Sequence, residues 1–419
     1  MPAPGLIACS SCDLLQALPE LAPRQSAHCQ RCGHEMTVRH KEPLQRAFAL
    51  ASAGLLLLLL SVVYPFLGVS AEGQMVQMTL LDSAVALFEY SEAVLALLVF
   101  AFIFLLPTVL LTLQLALLTL LLLGRFRVLT PWLARAVLGL SEWNMVEVFV
   151  LSVLVSIAKL STLASVSLGL SFWSFIGFAL CTVATQVTLD RYQLWRAVER
   201  ARFGPLPPVT APTTGATGCD RCGAVWLTPM PRCRTCFEPL RHRPPHSLQA
   251  TMALLLTAVV LYFPANFLPI MSSTEFGQVI RSTIAGGIVL LWQDGSYPTA
   301  IVIFVASLLV PILKIVLLAW LCWTVHRQHH MARRQRSLVF RITEIIGRWS
   351  MVDVFVVALL VALFQFGTVL SVEPGGAALA FCGVVVMTML AARAFDPRLI
   401  WDAPGSDPGE FARTPATAP

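Results

Sequence analysis

The eight residues WNMVEVFV, Trp143 to Val150, return 206 positions later as WSMVDVFV, Trp349 to Val356. A match of that specificity is a duplication, so the chain is read as two copies of one unit before any element is assigned. Toward the N-terminus an offset of 204 places Cys29 and Cys32 on Cys233 and Cys236, Pro65 on Pro269, Gly73-Gln74 on Gly277-Gln278 and Pro107 on Pro311. Toward the C-terminus the offset of 206 carries Asp190 onto Asp396.

The unit is a membrane one. Hydrophobic residues make up 57% of the 419 and charged residues only 12%, against roughly 25% charged in an ordinary soluble domain. Mean hydropathy is +0.75. Apolar stretches long enough to cross a bilayer core, about 20 helical residues, lie at 47–67, 93–123, 146–166, 171–189, 249–270, 299–325, 350–370 and 376–392. The expected fold class is therefore an all-α polytopic membrane protein of two tandem repeats, four transmembrane helices in each. Spans three and four, and seven and eight, are parted by a few residues near Ser167 and Glu373-Pro374-Gly375, which predicts tight helical hairpins. Alternation after Gly73-Gln74 and Gly277-Gln278 predicts a short extracytoplasmic β element in each half.

Orientation follows the arginines, since Lys and Arg near span ends stay on the cytoplasmic side. With both termini inside, 26 of the 29 basic residues fall inside or at the inner ends; Lys159 and Lys314 lie within spans and Arg281 outside. The net charge of +6 is then a topology signal, and no nucleic-acid footprint is needed to explain it. Residues 1–45 hold no apolar stretch after a basic start, so no cleavable signal peptide is read and the first span serves as its own insertion signal.

Each repeat is preceded by four cysteines. Cys9-x2-Cys12-x16-Cys29-x2-Cys32 has zinc-ribbon spacing, and Cys219-x2-Cys222-x10-Cys233-x2-Cys236 is a tighter version. Two CxxC turns aim four thiolates at one point with no open position, the structural type of zinc site, so two structural Zn2+ ions are expected. Iron of the rubredoxin sort and thiol redox chemistry are the alternatives. Gly33 and Gly223 follow a ligand where a knuckle favours φ > 0. Cys181, Cys322 and Cys382 stand alone in spans and read as apolar packing. His326, His329 and His330 sit among arginines and read as a solvated cluster at anionic headgroups. The domain boundaries are then 1–45 and 219–245 for the ribbons, 46–203 and 246–402 for the repeats, 204–218 for a Pro- and Thr-rich linker and 403–419 for a tail.

Charges inside spans are costly and mark function. Lys159 aligns with Gln365 and Lys314 with Leu110, so the duplication shares scaffold but not these cations. Ser307 lies two turns before Lys314 and Thr162 one turn after Lys159; with Thr388 in the last span these five form one expected polar track between the halves. The structural alternative is snorkelling or interhelical hydrogen bonding. Asn144-x-x-Glu147 and Ser350-x-x-Asp353 fit a capping box at a helix start, so Glu147 and Asp353 read as helix-cap acids and the tryptophans beside them as interfacial anchors. Pro65, Pro107, Pro269 and Pro311 read as matched span interruptions. No Gly-Lys pair, HExxH or GxSxG occurs, so neither a nucleotide-hydrolysing nor a recognised hydrolase centre is read.

The paired CxxC knuckles, four spans per copy, the W-x-M-V-[ED]-V-F-V element and Pro311-x-x-Lys314 together resemble the paraquat-inducible protein A family, the PqiA/LetA proteins of Gram-negative inner membranes. The resemblance implies a non-enzymatic component of an intermembrane phospholipid transport system that supports envelope integrity. Its implied partner is an MCE-domain protein forming a tunnel across the periplasm, with phospholipid as cargo. Relatives tend to carry an acid one turn after the third-span lysine, where this chain has Thr162. A redox or metal sensor and an ion channel are the competing functions.

Overall fold

Leu67–Ala71, Ser165–Leu168 and their counterparts in the second half are strands, although their sequence runs on from apolar spans. The computed structural model describes residues 6–18, 21–71, 74–82, 85, 88, 93–124, 128–160, 165–204, 217–226, 230–240, 243–244, 246–275, 278–293, 295, 297–327, 332–347, 351–352, 355–356, 359 and 370–402.

The first knuckle is two hairpins, β1 (Leu6–Ala8) with β2 (Leu15–Ala17) and β3 (Ser26–His28) with β4 (Glu35–Val38). Helix α1 (Pro43–Val63) then crosses to the opposite end of the bundle. There β5 (Leu67–Ala71) and β6 (Gln74–Met78) form an antiparallel hairpin, the β element expected from the alternation. The return crossing is α2 (Ala93–Phe100), a π-helical stretch Ala101–Leu105, and α3 (Leu106–Leu123). After α4 (Thr130–Ser141) and α5 (Val146–Leu160), the chain enters β7 (Ser165–Leu168), which pairs antiparallel with β5 to complete a three-stranded sheet in the order β6-β5-β7. Helices α6 (Leu170–Thr188) and α7 (Arg191–Phe203) return it to the knuckle end.

The second half repeats this plan. A short hairpin of β8 (Thr217–Gly218) and β9 (Val225–Trp226) belongs to the second knuckle, and α8 (Ser247–Phe267) leads to β10 (Met271–Glu275) and β11 (Gln278–Ser282). Helices α9 (Ile284–Gln293) and α10 (Tyr297–Ile303), a π-helical stretch Phe304–Leu309 and α11 (Val310–His326) come back. Then follow α12 (Arg333–Gly347), β12 (Leu370–Pro374) closing the sheet β11-β10-β12, α13 (Gly376–Ala394) and a 3₁₀ turn Pro397–Ile400.

Among the described residues seven helices are long and apolar enough to cross a membrane; most of the eighth expected span, 350–370, lies outside the described residues. Two expectations change. The links between spans three and four, and seven and eight, carry the strands β7 and β12 where helical hairpins were expected. Gly169 and Gly375 explain the packing: a Cβ would fall 1.9 Å from the Pro65 carbonyl oxygen at one and 2.2 Å from that of Pro269 at the other. Only glycine admits so close a backbone. Pro65 and Pro269, read as interruptions, instead stand just beyond the ends of α1 and α8, as proline does past a helix terminus. Pro107 and Pro311 do mark mid-span distortions, each at the start of an α-helix that follows a π-helical stretch.

The duplicated element builds the seam between the halves. Phe149 and Phe355, equivalent by the repeat, meet edge to face with ring centroids 5.5 Å apart. Beside them Ser152 Oγ donates to the Val352 carbonyl at 3.1 Å. Both rings are 1% exposed, in a core shared by Met145, Met351, Phe66 and Phe381. Trp143 stacks on Phe102 at 6.3 Å and packs against this core.

Candidate functional site

Each knuckle turn places a backbone N–H onto the carbonyl of its first cysteine: Asp13 on Cys9, Gly33 on Cys29, Gly223 on Cys219 and Phe237 on Cys233, at 2.8 to 2.9 Å. All four donors have left-handed φ, from 61° to 71°. Glycine meets that demand at Gly33 and Gly223, as expected, while Asp13 and Phe237 hold it without glycine.

These turns bring the eight cysteines together in two buried groups, Cys9, Cys12, Cys29 and Cys32, and Cys219, Cys222, Cys233 and Cys236, whose sulfurs within each group lie within 4.8 Å of one another. Cys9 to Cys32 is 3.6 Å, and Cys12 to Cys29, Cys219 to Cys236 and Cys222 to Cys233 are each 3.5 Å. Four sulfurs held about 2.3 Å from one metal ion sit about 3.8 Å apart, so the thiols are spaced for a shared ion and not for disulfides. Hydrogen bonds from Cys12, Cys32 and Cys9 hold Cys29 below the ordinary thiol range, and those from Cys219, Cys222 and Cys236 do the same for Cys233. Each group thus has a sulfur inclined to the thiolate a metal needs. The Trp226 indole N–H donates to Cys233 Sγ at 3.4 Å, orienting that sulfur from outside the coordination shell. The chain has two tetracysteine groups able to hold a metal ion.

The knuckles dock crosswise. Knuckle 1 packs on repeat 2, its cysteines in one cluster with Leu318, Phe340, Phe395 and Trp401. Knuckle 2 packs on repeat 1, in a cluster with Ala47, Leu117, Ala134 and Trp195. Equivalent arginines fix both: Arg341 on α12 donates to the Cys32 carbonyl at 3.3 Å, and Arg135 on α4 to that of Cys236 at 3.2 Å. Arg135 also pairs with Glu238 at 3.0 Å. Asp190, cap of α7, accepts from the Thr37 hydroxyl at 2.7 Å and the Val38 N–H at 2.9 Å, so knuckle 1 bridges to repeat 1 as well. The sequence reading missed these arginines. The signal that could have found them is the duplication itself, since Arg135 and Arg341 are 206 apart, like the tryptophans.

Of the expected polar track, Lys314 is 3% exposed, and its ammonium lies against α12, where a Cβ on Gly347 would come within 2.6 Å of Nζ. Glu344, a helix turn earlier, acts on it electrostatically. Ser307 is fully buried in the π-helical stretch with no hydrogen-bond partner for its hydroxyl among the described residues. Thr388 is 1% exposed and donates to the Val385 carbonyl at 2.9 Å. The helices carrying Lys314 and Thr388 pack together. Lys159 lies on α5, but its side chain, like Thr162, lies outside the described residues. Asp353 and Trp349 lie outside them too. Glu147 is exposed in the first turn of α5. The capping hydrogen bond read for Asn144 is not formed, and its Oδ1 is buried without a partner. The helix begins at Val146, one residue too late for Asn144 to be its cap.

Comparison with known proteins matches this architecture. The family model for Paraquat-inducible protein A matches residues 44–199 and again 248–404. The chain is 40% identical over 403 residues to the Intermembrane transport protein PqiA of Escherichia coli (strain K12), covering 94% of this chain and 95% of that protein. It is 32% identical to the Lipophilic envelope-spanning tunnel protein A of the same organism, over 96% and 92% of the two chains. It is 28% identical to a Probable intermembrane transport protein of Haemophilus influenzae, over 94% and 95%. No solved structure matches the chain. Two family matches, one per repeat, on a multi-pass membrane protein with two tetracysteine groups place this chain in the paraquat-inducible protein A family.

Proposed function

We propose that the protein is the inner-membrane component of an intermembrane phospholipid transport system, passing lipid to or from a periplasm-spanning MCE-domain tunnel protein and so supporting envelope integrity. The observation that carries this reading is the likeness, along almost the whole chain, to a protein named for intermembrane transport, joined to a lysine buried in a membrane-spanning helix that only one repeat possesses. A buried cation on the helix that continues from Ser307, packed against the helix that carries Thr388, suits the phosphate of a phospholipid headgroup, which accepts charge-assisted hydrogen bonds. By sequence the other repeat offers Lys159 and Thr162 to the same track.

The knuckle end faces the cytoplasm in this reading, because nearly all the arginines gather there. The two sheets then face the periplasm, where a tunnel partner would meet them. Zinc is the ion we assign to each knuckle, since closed tetrathiolate sites in a reducing compartment suit it; its contribution is to fold the knuckles, with no part in catalysis.

The test is mass spectrometry of phospholipid co-purified with the wild type and with Lys314→Ala, beside complementation of an envelope-permeability defect in a strain lacking the protein. Loss of bound lipid and of complementation at normal abundance supports the reading. Full complementation by Lys314→Ala at normal lipid content overturns it.

A further inference from the structure

A cavity of about 600 Å³ opens at the knuckle end, bounded by both knuckles and by the ends of both repeats. Six carboxylates and four arginines line it, among them Glu35, Glu142, Asp190, Arg341, Glu344 and Arg393. That lining calls for water, because an acyl chain there would leave ionised groups unsolvated. Three residues after Glu142 the seam between the repeats turns apolar. Met145 and Met351 are 1% and 0% exposed, and the rings of Phe149 and Phe355 meet edge to face.

At the boundary of these two regions Arg393, at the end of the last span, reaches from repeat 2 to repeat 1. Its guanidinium is 2.7 Å from the Glu142 carboxylate and lies over the Trp143 ring at 5.3 Å. The duplication does not supply a second copy of this contact, since the matching positions hold Arg348 and Val187. Scaffold contacts such as Phe149 with Phe355 obey the pseudo-twofold; this one does not. Both partners are also well exposed to solvent, where an ion pair opens and re-forms at little cost.

We propose that this cavity is the water-filled, knuckle-side mouth of the seam between the repeats, that the Phe149–Phe355 pair is its plug, and that Glu142 and Arg393 form the latch across it. Opening the latch lets water advance along α5 toward the aromatic pair. The latch is specific to one edge of the mouth, so the repeats part asymmetrically there. Nothing in this assignment depends on what the protein carries.

Hydrogen–deuterium exchange of the purified, metal-loaded protein in lipid nanodiscs tests it, read on peptides spanning residues 144–152. Glu142→Gln keeps side-chain size and Arg393→Gln replaces the guanidinium with a shorter neutral polar group; each should speed exchange of that segment about fivefold, as expected for an exposed ion pair. The swap Glu142→Arg with Arg393→Glu should return it toward the wild-type rate. Metal content per chain, expected unchanged, separates unlatching from unfolding. Single variants that keep their metal and exchange at the wild-type rate overturn the proposal. So does a swap that exchanges as fast as the single variants.

Discussion

Arg135 and Arg341 occupy the same place in the two repeats, and each donates a hydrogen bond to the knuckle that precedes the other repeat. The halves are therefore tied reciprocally at the knuckle end, in addition to meeting along the Phe149–Phe355 seam. Arg135 adds an ion pair to Glu238 that is partly exposed, so its worth is modest.

Arg135→Ala should loosen knuckle 2 and leave knuckle 1 in place, and Arg341→Ala should do the reverse. The cost of each is about 1 kcal/mol, the scale of a partly solvated charge-assisted hydrogen bond. Limited proteolysis of the purified protein should cut the corresponding knuckle first. Equal protection of both knuckles in each variant would contradict the crosswise docking.

Cys9→Ser with Cys12→Ser should lower the metal count from two ions per chain to one, measured by elemental analysis. Metal binding and folding are one event in so small a unit. Knuckle 1 would then detach from the cluster of Leu318, Phe340 and Trp401, and abundance in the membrane should fall. A variant that keeps two ions per chain would refute the assignment of these ligands.

Gly169→Ala and Gly375→Ala should each destabilise the protein by about 3 kcal/mol or more, the upper range for forced overpacking. The methyl group would collide with a backbone carbonyl that cannot swing aside. Thermal unfolding followed by intrinsic tryptophan fluorescence measures this. Gly287→Ala, where nothing lies within 4 Å of the added carbon, is the control and should shift the midpoint little.

Lys314→Met keeps the length of the aliphatic stem and removes the charge. If the ammonium serves a lipid headgroup, this variant should fold as well as the wild type and fail in envelope complementation, as Lys314→Ala does. Wild-type complementation by Lys314→Met, at equal abundance, would reduce Lys314 to a packing residue against Gly347.

The duplication, the knuckles and the mid-span prolines at 107 and 311 were legible in the chain because each is a matter of spacing along one dimension. The φ demand at Gly33 and Gly223 was legible for the same reason, and its echo at Asp13 and Phe237 was hidden by the absence of glycine. Strand β7 was not legible: Val166 and Leu168 extend an apolar run, and only pairing with β5, about a hundred residues away, makes them a strand. The docking of each knuckle on the opposite repeat was equally out of reach. The repeats offer nearly the same surface, and local sequence does not say which of two similar platforms a knuckle prefers. The Glu142–Arg393 pair carries no sequence signal at all, since neither residue belongs to a motif and the duplication reproduces neither at its matching position.

Crosswise docking also sets an order of assembly. Knuckle 2 leaves the ribosome when the helices that receive it are already made, whereas Cys32 precedes its partner Arg341 by 309 residues. At about 5 to 20 residues per second, the first knuckle waits roughly 15 to 60 s for its seat. Until then the chain offers it Asp190 of repeat 1 but not the Arg341 seat, so metal scarcity should strike nascent chains at their N-terminal end first.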